Sequence, residues 1–384
     1  MPTIRPMYYN ELFKLTLSDF DNLARTLSRA EYCRILGQWH IMTSPMDDSV
    51  EQGEKMLREA VALGDAEAKL HLANMYRLGD LGKVDMDEYG RLLAEVIDGG
   101  CQLAEIRYCK DIAYGVAQKA DLDLAIEETR RRLASHDTPD PRWYDALGWM
   151  LYGKERCSEA NEMFLKAIAL GYVDSYMGLT DMPEKQQEGR EAGCGGSCVL
   201  LAEELKRKYD ENSGNDTNAV ECFSDDEQKR EYLRINYNYR RELAIEIEHL
   251  YEEAARMGET LGLYYQGMLY YKAQYNHYED DGKAFDCFMR GNRLGDSFCM
   301  SMLADMILEG RTPEEYSYED ACFFQLKALR YGDDEQLASV LHAYYEGDLK
   351  EYADEIERYY LPRFYEEESA DDIDDDDGRY DAWA

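Results

Sequence analysis

Ala254-Ala-Arg-Met-Gly258, Gly291-Asn-Arg-Leu-Gly295 and Ala328-Leu-Arg-Tyr-Gly332 are three versions of one phrase, and they decide the fold of this 384-residue chain. Their closing glycines, Gly258, Gly295 and Gly332, are 37 residues apart twice. A fixed period of that size is the signature of a solenoid. Each glycine is followed by an apolar stretch of helical length, such as Leu263 to Tyr271 or Cys299 to Leu308. Nine residues after the glycine stands a small residue, Gly267 or Ala304, which lets a second helix approach closely. Twelve residues after it stands a large apolar one: Tyr270, Ile307 or Tyr344. A polar turn and a second helix lead to the next closing glycine, which accepts the left-handed backbone that ends a helix. Each unit is therefore two antiparallel helices, and neither buries its apolar face without neighbours.

The same pattern runs through the first half with a period of 36: closing glycines Gly64 and Gly100, turn glycines Gly79 and Gly115, small residues Gly37, Ala73 and Cys109. The fold class expected is all-α, an α-solenoid of antiparallel helix pairs. The sequence divides into a capping helix in 1–27, a first array in 28–182 and a helical and loop insertion in 183–239. A second array in 240–347, a C-terminal capping helix in 348–368 and an acidic disordered tail in 369–384 follow. Ser18 is the expected N-cap of the first helix. Pro183 is read as ending a helix. Within the insertion, a helix is expected over Val199–Tyr209, a loop over Asp210–Thr217 by composition, and one long helix from Asp225 to Met257. The insertion either interrupts one solenoid or hinges two.

The unit from Gly64 to Gly79 resembles the opening of a Sel-one-like repeat (SLR), a relative of the tetratricopeptide repeat. The matching positions are Gly64, Ala68, Leu72, Ala73, Tyr76 and Gly79, and later Gly295, Asp296, Ala304, Gly310, Ala321, Ala328 and Gly332. The stretch Trp143 to Leu151, with Ala160, Phe164 and Ala167, is closer to the tetratricopeptide form. This resemblance implies a protein–protein interaction scaffold without catalysis.

Composition narrows the class of partner. The formal net charge is −37, with 80 acidic against 43 basic residues. General nucleic-acid binding needs a basic footprint, so nucleic acid is not an expected partner. A protein partner is expected, with a basic one favoured by the charge. No apolar run reaches bilayer length, so no membrane partner is expected and the chain reads as cytoplasmic. The ten cysteines lack regular spacing from repeat to repeat, which argues against a disulfide framework.

No catalytic, metal or cofactor constellation emerges. Gly193-Cys-Gly-Gly-Ser-Cys198 has the look of a thiol-protease nucleophile segment but carries an extra glycine and lacks the following aromatic. It reads as a flexible loop. A calcium loop centred on Gly378 would need carboxylates at Ile373 and Ala384. The six histidines form no His-Glu-x-x-His pair.

The partner-binding residues are read from register. Slots six, ten and thirteen after the closing glycine lie opposite the packing slot, on the side expected to line the concave surface. They nominate Asn74, Arg77, Lys110, Tyr264, Met268, Tyr271, Asp305, His342 and Tyr345. The chain has 32 tyrosines against 10 phenylalanines, and tyrosine suits contact surfaces that must tolerate water. The first expectation is a scaffold or adaptor gripping a protein segment in its groove. The alternative is an inhibitor or immunity-type protein, a charge mimic of nucleic acid, that blocks a basic partner through its acidic surface.

Overall fold

The computed structural model describes residues 17–43, 47–116, 120–221, 225–275, 278–313 and 316–364. The glycine phrase acts through its backbone. In each copy the N–H three residues past the helix returns to the carbonyl of the phrase's first residue: Glu259 to Ala254, Asp296 to Gly291 and Asp333 to Ala328, all at 3.0 Å. This is the Schellman closure, and it holds the intervening glycines at φ +89°, +81° and +105°. The next helix starts at once. Asp65 and Asp296 cap the first helices of their units, accepting from Ala68 and Cys299 N–H at 2.8 Å. Asp85, Asp121 and Asp280 do the same for second helices. Aspartate at these turns is thus the start signal matching the glycine stop.

A short helix, α1 (Leu17–Thr26), precedes the pairs. The first array comprises α2 (Arg29–Thr43) with α3 (Asp47–Ala62), α4 (Ala66–Leu78) with α5 (Met86–Asp98), α6 (Gln102–Tyr114) with α7 (Leu122–Leu133), and α8 (Arg142–Tyr152) with α9 (Cys157–Ala169). A 3₁₀ turn, Val173–Gly178, leads to α10 (Pro183–Ala192), then to α11 (Gly195–Glu221) and α12 (Asp226–Arg256), which pack along each other. The second array pairs α13 (Thr260–Tyr271) with α14 (Asp281–Arg293) and α15 (Ser297–Leu308) with α16 (Tyr318–Arg330). It closes with α17 (Leu337–Glu346) and a run of mixed 3₁₀, α and π turns over 350–360. The all-α solenoid of antiparallel helix pairs is the observed architecture. Among the described residues no helix is long and apolar enough to cross a membrane.

Four local expectations are corrected. Asp210–Thr217 is not a loop: α11 runs through it to Glu221, because its partner α12 fixes a backbone that composition alone leaves undecided. The helix expected over Val199–Tyr209 accordingly extends in both directions. Pro183 starts α10 instead of ending a helix, occupying the first turn where its missing N–H costs nothing. Ser18 lies inside α1, not before it. Residues 1–16 of the expected capping segment and the acidic tail fall outside the described residues.

The second array folds back on the first, which no repeat pattern foretells. Tyr331 Oη donates to Asp80 Oδ1 at 2.7 Å, and Arg358 pairs with Asp87 at 3.0 Å. Leu294, ending α14, packs among Phe20, Ile35, Leu36 and Trp39 of α1 and α2. Gly79, at φ +70°, does two things at this seam. It closes α4 in the left-handed region, and it leaves room for Arg330: a Cβ there would lie 2.9 Å from Arg330 Cζ. Burial pushes the Asp80 carboxyl up and the Lys327 ammonium, its neighbour across the seam, down.

Candidate interaction site

The back-folding turns the inner face of the first array into the wall of a cavity of about 430 Å³. Four first helices contribute in register. Arg34 and Gln38 come from α2, Leu70 and Asn74 from α4, Ile106 and Lys110 from α6, and Asp145 from α8. Tyr172, Asp174, Gly195 and Met257 to Glu259 close the opposite side.

The wall is charged and mostly self-paired. Arg34 reaches Asp65 and Glu67, both at 3.1 Å. Since Asp65 also caps α4, the cavity's first cation is tied to the helix start. Arg107 pairs with Asp111 at 2.8 Å, and Asp111 accepts from Tyr89 Oη. Asp145 accepts from Ser175 Oγ at 2.7 Å, and burial pushes its carboxyl up. Arg142 is held by Asp140 at 2.7 Å.

Three groups in the wall are left wanting. Gln38 is only 5 % exposed; its Nε2 donates to His71 Nε2 while its Oε1 has no hydrogen-bond partner. Asn74 Oδ1 is buried and equally unpartnered. Lys110 has no ion pair among the described residues. Burial pushes its ammonium down, and the nearby Asp145 carboxylate opposes that shift. Native structures leave few such groups unsatisfied, and each calls for an explanation.

His71 gives the cavity a pH dependence. Burial, with Arg34 adding to it, pushes the imidazole down to about 4 from an ordinary 6.5. The folded form therefore holds His71 neutral while the unfolded chain takes up a proton below 6.5. Stability from neutral His71 is full above pH 6.5 and is lost as pH falls towards 4, amounting to about 3 kcal/mol at the acid end. His71→Gln is expected to flatten that part of the stability–pH curve by this amount. Denaturant titrations at pH 7 and pH 4.5 on both proteins measure it, and parallel curves would refute it.

The nominated residues separate into groups. Asn74 and Lys110 line the cavity. Arg77 lies one turn further along α4, half-buried beside Arg107, Asp111 and Tyr331, with Nε unpartnered. Met268 and Tyr271 are buried core residues. Tyr271 Oη donates to Glu309 at 2.8 Å, and the Arg311 guanidinium lies 4.1 Å from its ring centroid. Tyr264 is half-buried against Tyr265 and Phe298. Asp305, His342 and Tyr345 are exposed on the second array, away from the cavity wall. The register argument extends back one unit to Arg34 and Gln38, which precede Leu70 and Asn74 by 36 residues. The same series, counted from the small residue Gly148, reaches Asp145.

The Gly193 to Cys198 segment is not a flexible loop. Gly193 ends α10 at φ +94° and Gly195 begins α11, leaving Cys194 and Cys198 buried. Burial pushes the Cys198 thiol up to about 12, opposite to the shift a thiolate nucleophile requires. Among the described residues no group of three or more metal-ligating side chains is present.

No protein-family model matches the chain. No curated protein matches it either. The solved structures to which the chain is similar include two repeat proteins. One is a protective antigen present in uropathogenic Escherichia coli strains and displaying an SLR fold, 16% identical, with 87% of this chain and 76% of that chain covered at TM-score 0.34. The other is a Sel1 repeat protein from Oxalobacter formigenes, 16% identical, covering 87% and 93% of the respective chains at TM-score 0.35.

Proposed function

We propose that this chain is a non-catalytic scaffold that holds an extended segment of a protein partner in the cavity between its arrays. The observation that carries the reading is the set of unmet groups in the wall. Gln38 and Asn74 offer carbonyl oxygens that need donors, and Lys110 offers an ammonium that has no ion pair among the described residues and feels Asp145 nearby. A peptide backbone supplies N–H and C=O groups alternately along its length. Leu70 and Ile106, between these polar positions, offer apolar contact to its side chains.

Affinity capture from native cell extract tests the proposal, with wild type compared to Asn74→Leu/Lys110→Met. Each lost pairing is worth about 1–3 kcal/mol, so the double variant should retain at least ten-fold less of the main partner, with its far-UV helical signal unchanged. Undiminished capture would refute the cavity. Capture lost instead in a variant of Asp305, His342 and Tyr345 would move the contact to the second array. A partner released equally from all variants by high salt would favour the acidic-surface inhibitor, because screening abolishes long-range attraction.

A further inference from the structure

The first half of α12 departs from the charge of the rest of the chain. Residues 229–241 contain Lys229, Arg230, Arg234, Arg240 and Arg241 against Glu231 alone, a net +4 (5 − 1) in a chain of −37. Helical spacing puts Arg230, Arg234, Tyr237, Arg241 and Ile245 on one stripe (i, i+4, i+7, i+11, i+15), and all five are exposed. Tyr237 is 55% and Ile245 56% exposed. Other basic runs are neutralised by neighbouring acids: Lys206, Arg207 and Lys208 pair with Glu203, Glu211 and Glu204. Arg130, Arg131 and Arg132 are likewise held by Glu159 and Glu128. On the α12 stripe only Arg234 has a partner of this kind, Glu231, while Arg230 and Arg241 have no ion pair among the described residues.

We infer that this stripe is a docking face for residues 365–384 of the chain itself. Residues 366–377 carry nine carboxylates and no base, and Ile373, Tyr380 and Trp383 supply apolar anchors. Twenty residues follow Phe364, enough to span roughly 65 Å when extended. Screening limits each charge to a neighbourhood of about 8 Å, so the five bases of 229–241 are set against Glu231 and the flanking Asp226, Glu227 and Glu242, a balance of +1 (5 − 4), and not against the whole excess of acid. Arginine takes carboxylates in a two-pronged fashion, and Tyr237 between Arg234 and Arg241, with Ile245 one turn beyond, gives apolar contact along the same stripe.

Carbodiimide coupling on the purified full chain, which joins lysine amines directly to carboxylates, tests the inference through Lys229, next to Arg230. Mass spectrometry should find Lys229 joined to a carboxylate within 366–377. A monomeric product means the same chain and supports the inference, whereas a dimeric product means the tail of a second copy and overturns it. Arg230→Glu/Arg234→Glu/Arg241→Glu, all at exposed sites, should lower the yield about ten-fold or more, and Tyr237→Ala should lower it without changing charge. Excess free peptide of sequence 365–384 should suppress the link, and single-stranded DNA of equal charge should suppress it less. No link to 366–377, or a link that survives the triple reversal, overturns the inference. Stronger suppression by DNA overturns it in favour of a nucleic-acid surface.

Discussion

Glu355→Ala is expected to destabilise the protein by about 3–5 kcal/mol and to release the back-folded seam before the rest of the solenoid. Glu355 holds Arg330 through two hydrogen bonds, 2.9 and 2.7 Å, with the two side chains 5 % and 3 % exposed. Removing the carboxylate leaves a guanidinium in a dry environment with Tyr352 over it and Gly79 beneath it. Replacing both partners, as Arg330→Met/Glu355→Leu, removes the stranded charge and should cost much less than Glu355→Ala alone. A solenoid loses structure locally because each unit leans mainly on its neighbours. Amide exchange in Glu355→Ala should therefore accelerate over α16 and residues 353–360, while α8 and α9 stay protected. Uniform acceleration throughout the chain would show that the pair supports the whole molecule and not the seam.

The seam also marks the limit of what the sequence discloses. The repeat is legible because each of its signals is local. A glycine four residues on from a small residue makes one backbone closure, and an aspartate at the next turn makes one cap. The inner-face register is legible for the same reason: residues 36 apart occupy equivalent places on equivalent helices, which is how Asn74 and Lys110 come to share a wall. The contacts between arrays have no such period. Asp80 with Tyr331 and Asp87 with Arg358 join residues separated by 251 and 271 positions. Nothing in either neighbourhood announces the other. The helix through Asp210–Thr217 was hidden for a related reason. Its residues favour turns when alone, and pairing with α12 decides their state. Met268 and Tyr271 show how register can mislead within one unit. Phe288 of α14 and the Glu309/Arg311 pair at the end of α15 cover that side of α13, so slots that face inward in the first array are core in this one unit, while Asp305, His342 and Tyr345 in the following units stay exposed.

Phe164→Ala should match the loss of the Glu355 pair in size, by a different mechanism, and it reaches the cavity from behind. Phe164 is fully buried on α9, clamped between two glycines. A Cβ on Gly148 of α8 would come within 2.5 Å of its ring, and so would one on Gly178 of the 3₁₀ turn. Trp149 adds an edge contact at 5.1 Å. Truncation empties that clamp, and backbone as close as this cannot collapse fully into the void, so about 3–5 kcal/mol is expected. The 3₁₀ turn resting on the ring also carries Ser175, whose hydroxyl holds Asp145, and Asp174 of the cavity wall. Loosening the turn should free Asp145 and weaken partner capture even at temperatures where the chain remains folded. Gly148→Ala provides the opposite perturbation, an overpacked clamp costing about 1–3 kcal/mol. Combined with Phe164→Leu, a shorter side chain, it should cost less than the sum of the two single changes, because each relieves the other's misfit. Denaturant midpoints of the four proteins close this cycle. Simple additivity would mean that glycine and ring do not constrain each other, and that the turn is held in place by something other than Phe164.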